Sequence, residues 1–282
     1  MPQSIIQLLV EGAEANRSDR FRKGNVIELP GEGEVVLTGD IHGHRRNFER
    51  IVNFCDLASH PERHVVLQEV IHGGPADEAG GCLSYKLLFE AVRYKIRFPG
   101  QVHFLMSNHD TAFITSNEVM KDGRRMNESM VGALGREFGG RGGDVGKAIS
   151  EYLFSQALGV RCENGVWASH SLPNDRHMDV FDMEIFERAV ERADLESPGS
   201  VYLLLWGRRQ SEESLAELAS MLGVSTFVVG HQPQPEGYAR AGKNLLIINS
   251  EHNHGCILPI GLGRSYSVDE LIECIVPLAS IA

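Results

Sequence analysis

The sequence contains no C-x-x-C pair among its five cysteines, Cys55, Cys82, Cys162, Cys256 and Cys274. An odd number without close pairing excludes a disulfide frame or a zinc knuckle, and reads as buried thiols in a reducing compartment. A basic excess is also missing. Lys and Arg total 27 against 38 Asp and Glu, a net charge of −11. Such a surface does not draw nucleic acid or anionic lipid over a broad face. It leaves an anionic substrate open, because bound divalent ions reverse the field inside a single cleft. No apolar run approaches a membrane span, and the opening segment MPQSIIQLLVEGAEANRSDR lacks the basic leader and apolar length of a signal peptide. The expected location is the cytoplasm. Internal repeats and long low-complexity linkers are absent too.

What is there suits an ordinary globular core. Hydrophobic residues make up 42% and charged residues 23% of 282, so the chain can fold without staples, as one large domain or two small ones. Residues 3–15 read as a short amphipathic helix. Glu34–Leu37, His64–Leu67 and Val102–Met106 read as strands, separated by helical spacing over 45–57 and 83–96. That alternation predicts βαβ units with a parallel sheet. Further strands are expected at 166–169, 200–205, 226–229, 245–249 and 256–260, giving a second sheet. The glycine-rich stretch 121–147 reads as a lid or irregular loop with helical turns. The predicted fold is α/β, a sandwich of two mixed sheets flanked by helices.

Polar motifs follow several of these strands. Gly39-Asp40-Ile41-His42-Gly43-His44 places a carboxylate and an imidazole two residues apart, a pair that suits a borderline divalent metal once the chain turns out of the extended form. Ser107-Asn108-His109-Asp110 offers an amide oxygen and an imidazole; alternatively Asn108 caps a helix. His170 and His231 each stand just past a β-type run. His60, His64, His103 and His177 lack that context and read as surface or packing residues. His252 and His254 alternate along Asn249–Cys256, a loop after the last core strands.

The ordered set GD-x-HG, N-H-D, H and GH resembles the calcineurin-like metallophosphoesterases, closest to their phosphoprotein phosphatase branch. Arg93-Tyr94-Lys95-Ile96-Arg97-Phe98-Pro99 ahead of the second of these motifs and Leu203-Leu204-Leu205-Trp206 further on carry the same likeness, which spans roughly residues 34–260. The resemblance implies a single metallophosphoesterase domain over 1–282 with a glycine-rich insertion. It implies two divalent ions (Mn, Fe or Zn), the first held by Asp40 and His42, the second by Asn108, His170 and His231. Glu69 would bridge them, His109 would be the general acid, and Arg208 is the preferred phosphate contact. Arg45, Arg46, Arg124, Arg125 and Arg209 are the other basic candidates. The implied substrate is a phosphorylated protein or small molecule, hydrolysed by a metal-activated hydroxide without a phosphoenzyme. Dinucleoside polyphosphates are the alternative substrate class. A catalytically weak metal-binding or scaffolding protein is the alternative function. Its support is the middle motif, Gln68-Glu69-Val70-Ile71-His72-Gly73-Gly74. There Glu69 replaces a bridging Asp, His72 an Asp that pairs with the catalytic His, and Gly73 a phosphate-clamping Arg.

Overall fold

The computed structural model describes residues 2–121 and 123–282. In chain order the helices and strands are α1 (Pro2–Arg17), β1 (Arg22–Lys23), β2 (Val26–Leu29), β3 (Glu34–Asp40), α2 (Arg45–Cys55), β4 (Arg63–Gln68), α3 (Ser84–Arg97) and β5 (Val102–Leu105). Then come α4 (Asn108–Thr115), β6 (Met120–Lys121), β7 (Arg124–Arg125), α5 (Met126–Phe138), α6 (Gly142–Phe154), β8 (Gly159–Cys162) and β9 (Val166–Ser169). The remainder is α7 (Ser200–Trp206), α8 (Glu212–Leu222), β10 (Thr226–Val229), β11 (Tyr238–Arg240), β12 (Leu245–Ile248), β13 (Cys256–Gly261), α9 (Val268–Glu273) and β14 (Val276–Pro277).

The strands form two large sheets, ordered β14-β13-β3-β4-β5 and β1-β2-β8-β9-β10-β12-β11. Strands β3, β4 and β5 run parallel, as do β9, β10 and β12, while β13 on β3 and β8 on β9 are antiparallel. Both sheets are therefore mixed, as expected. Their facing sides hold one apolar layer, including Val35, Leu37, Val66, Val160, Ala168, Val228, Ile248 and Leu258. A second layer packs α1, α3, α5 and α6 on the outer side of the first sheet, and a third packs α7 and α8 outside the other. Strands buried on both faces explain why they read as continuous apolar runs without polar alternation.

Strand β13, expected in the second sheet, joins β3 in the first, and two regions differ from the sequence reading in kind. Residues 200–205 form the helix α7, not a strand; the run Val-Tyr-Leu-Leu-Leu is apolar throughout, and periodicity cannot distinguish a buried strand from a buried helix over so short a span. The stretch 121–147 is mostly helical rather than irregular. It forms the arm of a hairpin, then α5 and the start of α6, and α6 packs on α1 and α4.

The sheets pinch together at one end. Asp40 of β3 pairs with Asn249 just beyond β12, Ser250 N donates to Asp40 O at 3.2 Å, and Gly39 N donates to Ser250 Oγ at 3.0 Å. The carboxyl ends of β3, β4, β5, β9 and β10 thus converge where parallel sheets place ligands.

Candidate active site

The expected site residues lie at such strand ends, apart from Arg208, which follows α7. Asp40 closes β3, and His42 follows it in a left-handed conformation (φ 44°). Glu69 (φ 45°) and His72 (φ 63°) follow β4, and His231 (φ 66°) follows β10. Among the described residues, six non-glycine positions have positive φ, and these four are among them. Such backbone persists only where its surroundings over-determine it, and it clusters at functional sites. The turn at His42 aims its imidazole at Glu69, with Nε2 3.4 Å from Glu69 Oε2. After β5, Ser107 caps α4 and forms a capping box with Asp110. Asn108 is therefore not the cap, and its side chain is free to face the cluster.

The polar side chains meet inside the protein. Glu69 Oε2 lies 3.4 Å from His42 Nε2 and 3.7 Å from His170 Nε2, while Asp40 Oδ1 lies 3.7 Å from His170 Nδ1. His170 Nε2 is 2.8 Å from Asn108 Oδ1 and 3.2 Å from His231 Nδ1. Two groups have donor atoms close enough to surround one ion: Asp40, Glu69 and His170, and His42, Glu69 and His109. Glu69 belongs to both.

Neighbouring groups fix which nitrogens are bare. The Gln68 amide donates to Thr38 O at 2.7 Å, so its Oε1 can only accept, at 2.8 Å from His170 Nδ1. His170 Nδ1 therefore carries the proton, and Nε2 presents a lone pair. That lone pair faces the Asn108 oxygen, so two acceptors stand 2.8 Å apart. His42 Nδ1 likewise bonds Ile71 O at 3.1 Å, leaving its Nε2 bare toward Glu69. Orienting partners on the far ring nitrogen are the usual support of metal-binding histidines. Burial pushes Asp40 up to about 6, and burial together with the Asp40 charge pushes Glu69 further above the carboxylate range. Burial holds His42 and His170 well below theirs, and holds His231, beside Arg208, at about 3. A buried set of two carboxylates, bare imidazole nitrogens and an amide oxygen fits divalent cations: it holds acceptors that face one another and acids that cannot both ionise without a counter-charge.

No family model and no curated protein matches the chain. Solved structures do. A protein serine/threonine phosphatase from Saccharomyces cerevisiae with similarity to human phosphatase PP5 superposes with a TM-score of 0.67 at 14% identity, over 99% of this chain and 93% of that one. A cold-active protein-tyrosine phosphatase of a psychrophile, Shewanella sp., superposes with a TM-score of 0.61 at 15% identity, over 94% of this chain and 84% of that one. The chain shares the fold of these phosphatases, two mixed sheets flanked by helices. At these identities the likeness shows the fold alone, so the chemistry has to be argued from this chain's residues.

Two features depart from the pattern that the sequence resemblance implies, and a third follows it. His72 is fully buried, with Nδ1 3.2 Å from His109 Nδ1. His72 Nε2 and Asn127 Oδ1 are both buried without a hydrogen-bond partner, and both amide protons of Asn127 go to Ala112 O and Asn117 O. Burial, with His42 and Lys121 nearby, holds His109 well below the ordinary histidine range. Second, Gly73 is more than a lost arginine. A Cβ there would sit 2.2 Å from His42 O, so the crossing of the two loops leaves no room for any side chain. Gly230 is a second such contact: its Cβ would lie 2.4 Å from Asp40 Oδ1. Third, Arg208 stands at the cluster as expected, its Nε donating to His231 Nε2 at 3.0 Å. It lines a cleft of ≈ 450 Å³ with Arg176, Arg209 and Trp206.

Sequence reasoning missed two groups. Glu251 Oε2 lies 3.8 Å from His42 Nε2, and Lys121 Nζ donates to it at 2.5 Å. A signal existed for Lys121, since Asp122-Gly123 between Lys121 and Arg124-Arg125 is a hairpin turn sequence. Of the other candidates, Arg45 is committed to Glu49 and Glu90. His252 bonds Gln234 O, away from the cluster.

Proposed function

We propose that this protein is a metal-dependent phosphoester hydrolase, acting on a phosphorylated protein or small molecule. The observation that carries the reading is the buried Asp40–Glu69–His170 and His42–Glu69–His109 cluster, whose acceptor atoms face one another at strand ends. In this reading Asp40 and His42 would hold one divalent ion, Asn108, His170 and His231 a second, and Glu69 both, although the donor atoms that lie closest together pair Asp40 with His170 and His42 with His109; Mn, Fe and Zn suit the donor set. Such ions supply charge neutralisation and lower the pKa of water.

The chain's own groups do the positioning. Gln68 and Ile71 O set the tautomers of His170 and His42. His231 N donates to Asp40 Oδ1 at 2.9 Å and so orients that carboxylate. Arg208, on the rim, meets the phosphoryl oxygens in a bidentate manner once it leaves His231. His109 delivers the proton to the leaving oxygen, which requires its protonated form, one that burial disfavours.

The test is metal content by elemental analysis, with Mn-supplemented phosphatase activity on the same preparation. Two ions per chain with activity is the expected outcome. Asp40→Asn and His231→Ala should each lose metal and reduce activity by about a hundredfold or more. Full activity in either variant would sink the assignment. A second reading, a metal-binding protein with little catalysis, is favoured by one observation: His109 has His72 rather than a carboxylate behind it. Metal without turnover would select it.

A further inference from the structure

The hairpin β6–β7 carries an ammonium group to the wall of the cleft beside the cluster. Lys121 Nζ donates to Glu251 Oε2 at 2.5 Å, and the same oxygen lies 3.8 Å from His42 Nε2. The pair is half-covered, with side-chain exposures of 23% and 18%. The Lys121 charge acts on Asp40, His42, Glu69, His72 and His109. Arg208 acts from the other side, on His109, His170 and His231. Beneath Lys121 is a cleft of ≈ 370 Å³, also lined by His42, Gly73, Arg124 and Glu251. Gly73 has no room for a side chain, so the loop after β4 contributes no cation to this cleft.

The hairpin is held in place. Met126 N donates to Val119 O, Glu118 Oε1 accepts from Asn127 N at 2.9 Å, and the Asn127 side chain bonds Ala112 O of α4 at 3.0 Å. Lys121 is thus a fixed group at the cleft. Its carboxylate partner is one that an incoming anion can replace.

The geometry points to Lys121 as a phosphate-binding group that grips the phosphoryl oxygens across the cluster from Arg208, with Glu251 as its resting partner. This rests on the phosphoesterase reading and narrows it. A fixed ammonium and a guanidinium on opposite sides of the cluster suit a terminal phosphate with two negative charges, a phosphomonoester, over a singly charged diester.

The experiment uses inorganic phosphate as the probe, titrated calorimetrically into metal-loaded protein, with metal content measured on each sample. Lys121→Met should weaken phosphate binding about tenfold or more at unchanged metal content. Lys121→Arg should recover most of that loss, and Glu251→Gln, which frees the ammonium, should bind phosphate at least as tightly as wild type. Unchanged affinity in Lys121→Met overturns the assignment of Lys121 and leaves the phosphoesterase reading standing. Equal losses in the Met and Arg variants would mark the position as structural and overturn it as well. A metal-loaded wild type that binds no phosphate overturns both readings.

Discussion

At the scale of single residues, the unusual pair is His72 and His109. Burial keeps both imidazoles neutral, and they are in contact at 3.2 Å. Burial depresses His109, and His72 adds no negative charge to oppose this. A group that donates a proton is spent as pH rises through its pKa, so activity should fall away on the acid side of neutrality. A carboxylate at position 72 would favour the imidazolium; an opposite charge at such distance raises a pKa by about 1–3 units. The left-handed backbone at His72 accommodates Asp more readily than most residues. His72→Asp should therefore shift the alkaline limb of the pH–rate profile upward by about one unit or more. A limb that stays in place would show that His109 is not the proton donor.

At the scale of elements, the site depends on how strands end. The Ser107–Asp110 capping box starts α4 at Asn108, and that start aims the Asn108 oxygen at His170. Ser107→Ala removes a cap contributing about 1 kcal/mol, about 2–4 °C in Tm for a domain of this size. It should also lower metal occupancy, read by elemental analysis; a drop in Tm at full occupancy would confine the cap to a stability role. The same elements show what the sequence discloses. Gly-Asp-x-His, Asn-His and the lone His170 and His231 were legible because each ends an apolar run, and such runs are themselves legible as buried strands. The helix 200–206 was not, because an apolar stretch that short carries no period. The glycines of 121–147 read as loop, yet Gly142 is where α6 meets α5: its Cβ would lie 2.9 Å from Gly135 Cα. Lys121 and Glu251 were out of reach for a different reason. They meet across 130 residues, and nothing local to either marks the other.

At the scale of the whole molecule, the two ends of the first sheet hold opposite arrangements. The carboxyl ends carry a cluster short of positive charge, and the amino ends carry a buried polar chain that is fully paired. There Lys95 Nζ donates to Asp19 Oδ2 at 2.6 Å, His103 Nδ1 lies 2.9 Å from the same oxygen, and His64 Nδ1 lies 3.1 Å from His103 Nε2. This chain ties the segment after α1 to α3, β4 and β5. Burial pushes Asp19 up, but the bonds and charges of His103 and Lys95 outweigh it and hold the carboxyl below its usual range. Burial, followed by the charges of His103 and Arg20, pushes His64 down to about 3. A histidine depressed in the folded state binds its proton more readily when unfolded. Its contribution to stability is thus intact above about 6.5 and is lost as pH falls from there toward 3. The depressed Asp19 adds a further loss only below its unfolded value of about 3.9. Between pH 7 and pH 5 the His64 contribution is on the order of 2 kcal/mol. His64→Asn keeps a donor toward His103 but cannot titrate. Urea unfolding of wild type and variant at both pH values separates the two. The wild type should lose about 2 kcal/mol more than the variant on acidification. Equal losses would mean that His64 takes up its proton without unfolding, and that the amino-end chain is not what makes this fold acid-sensitive.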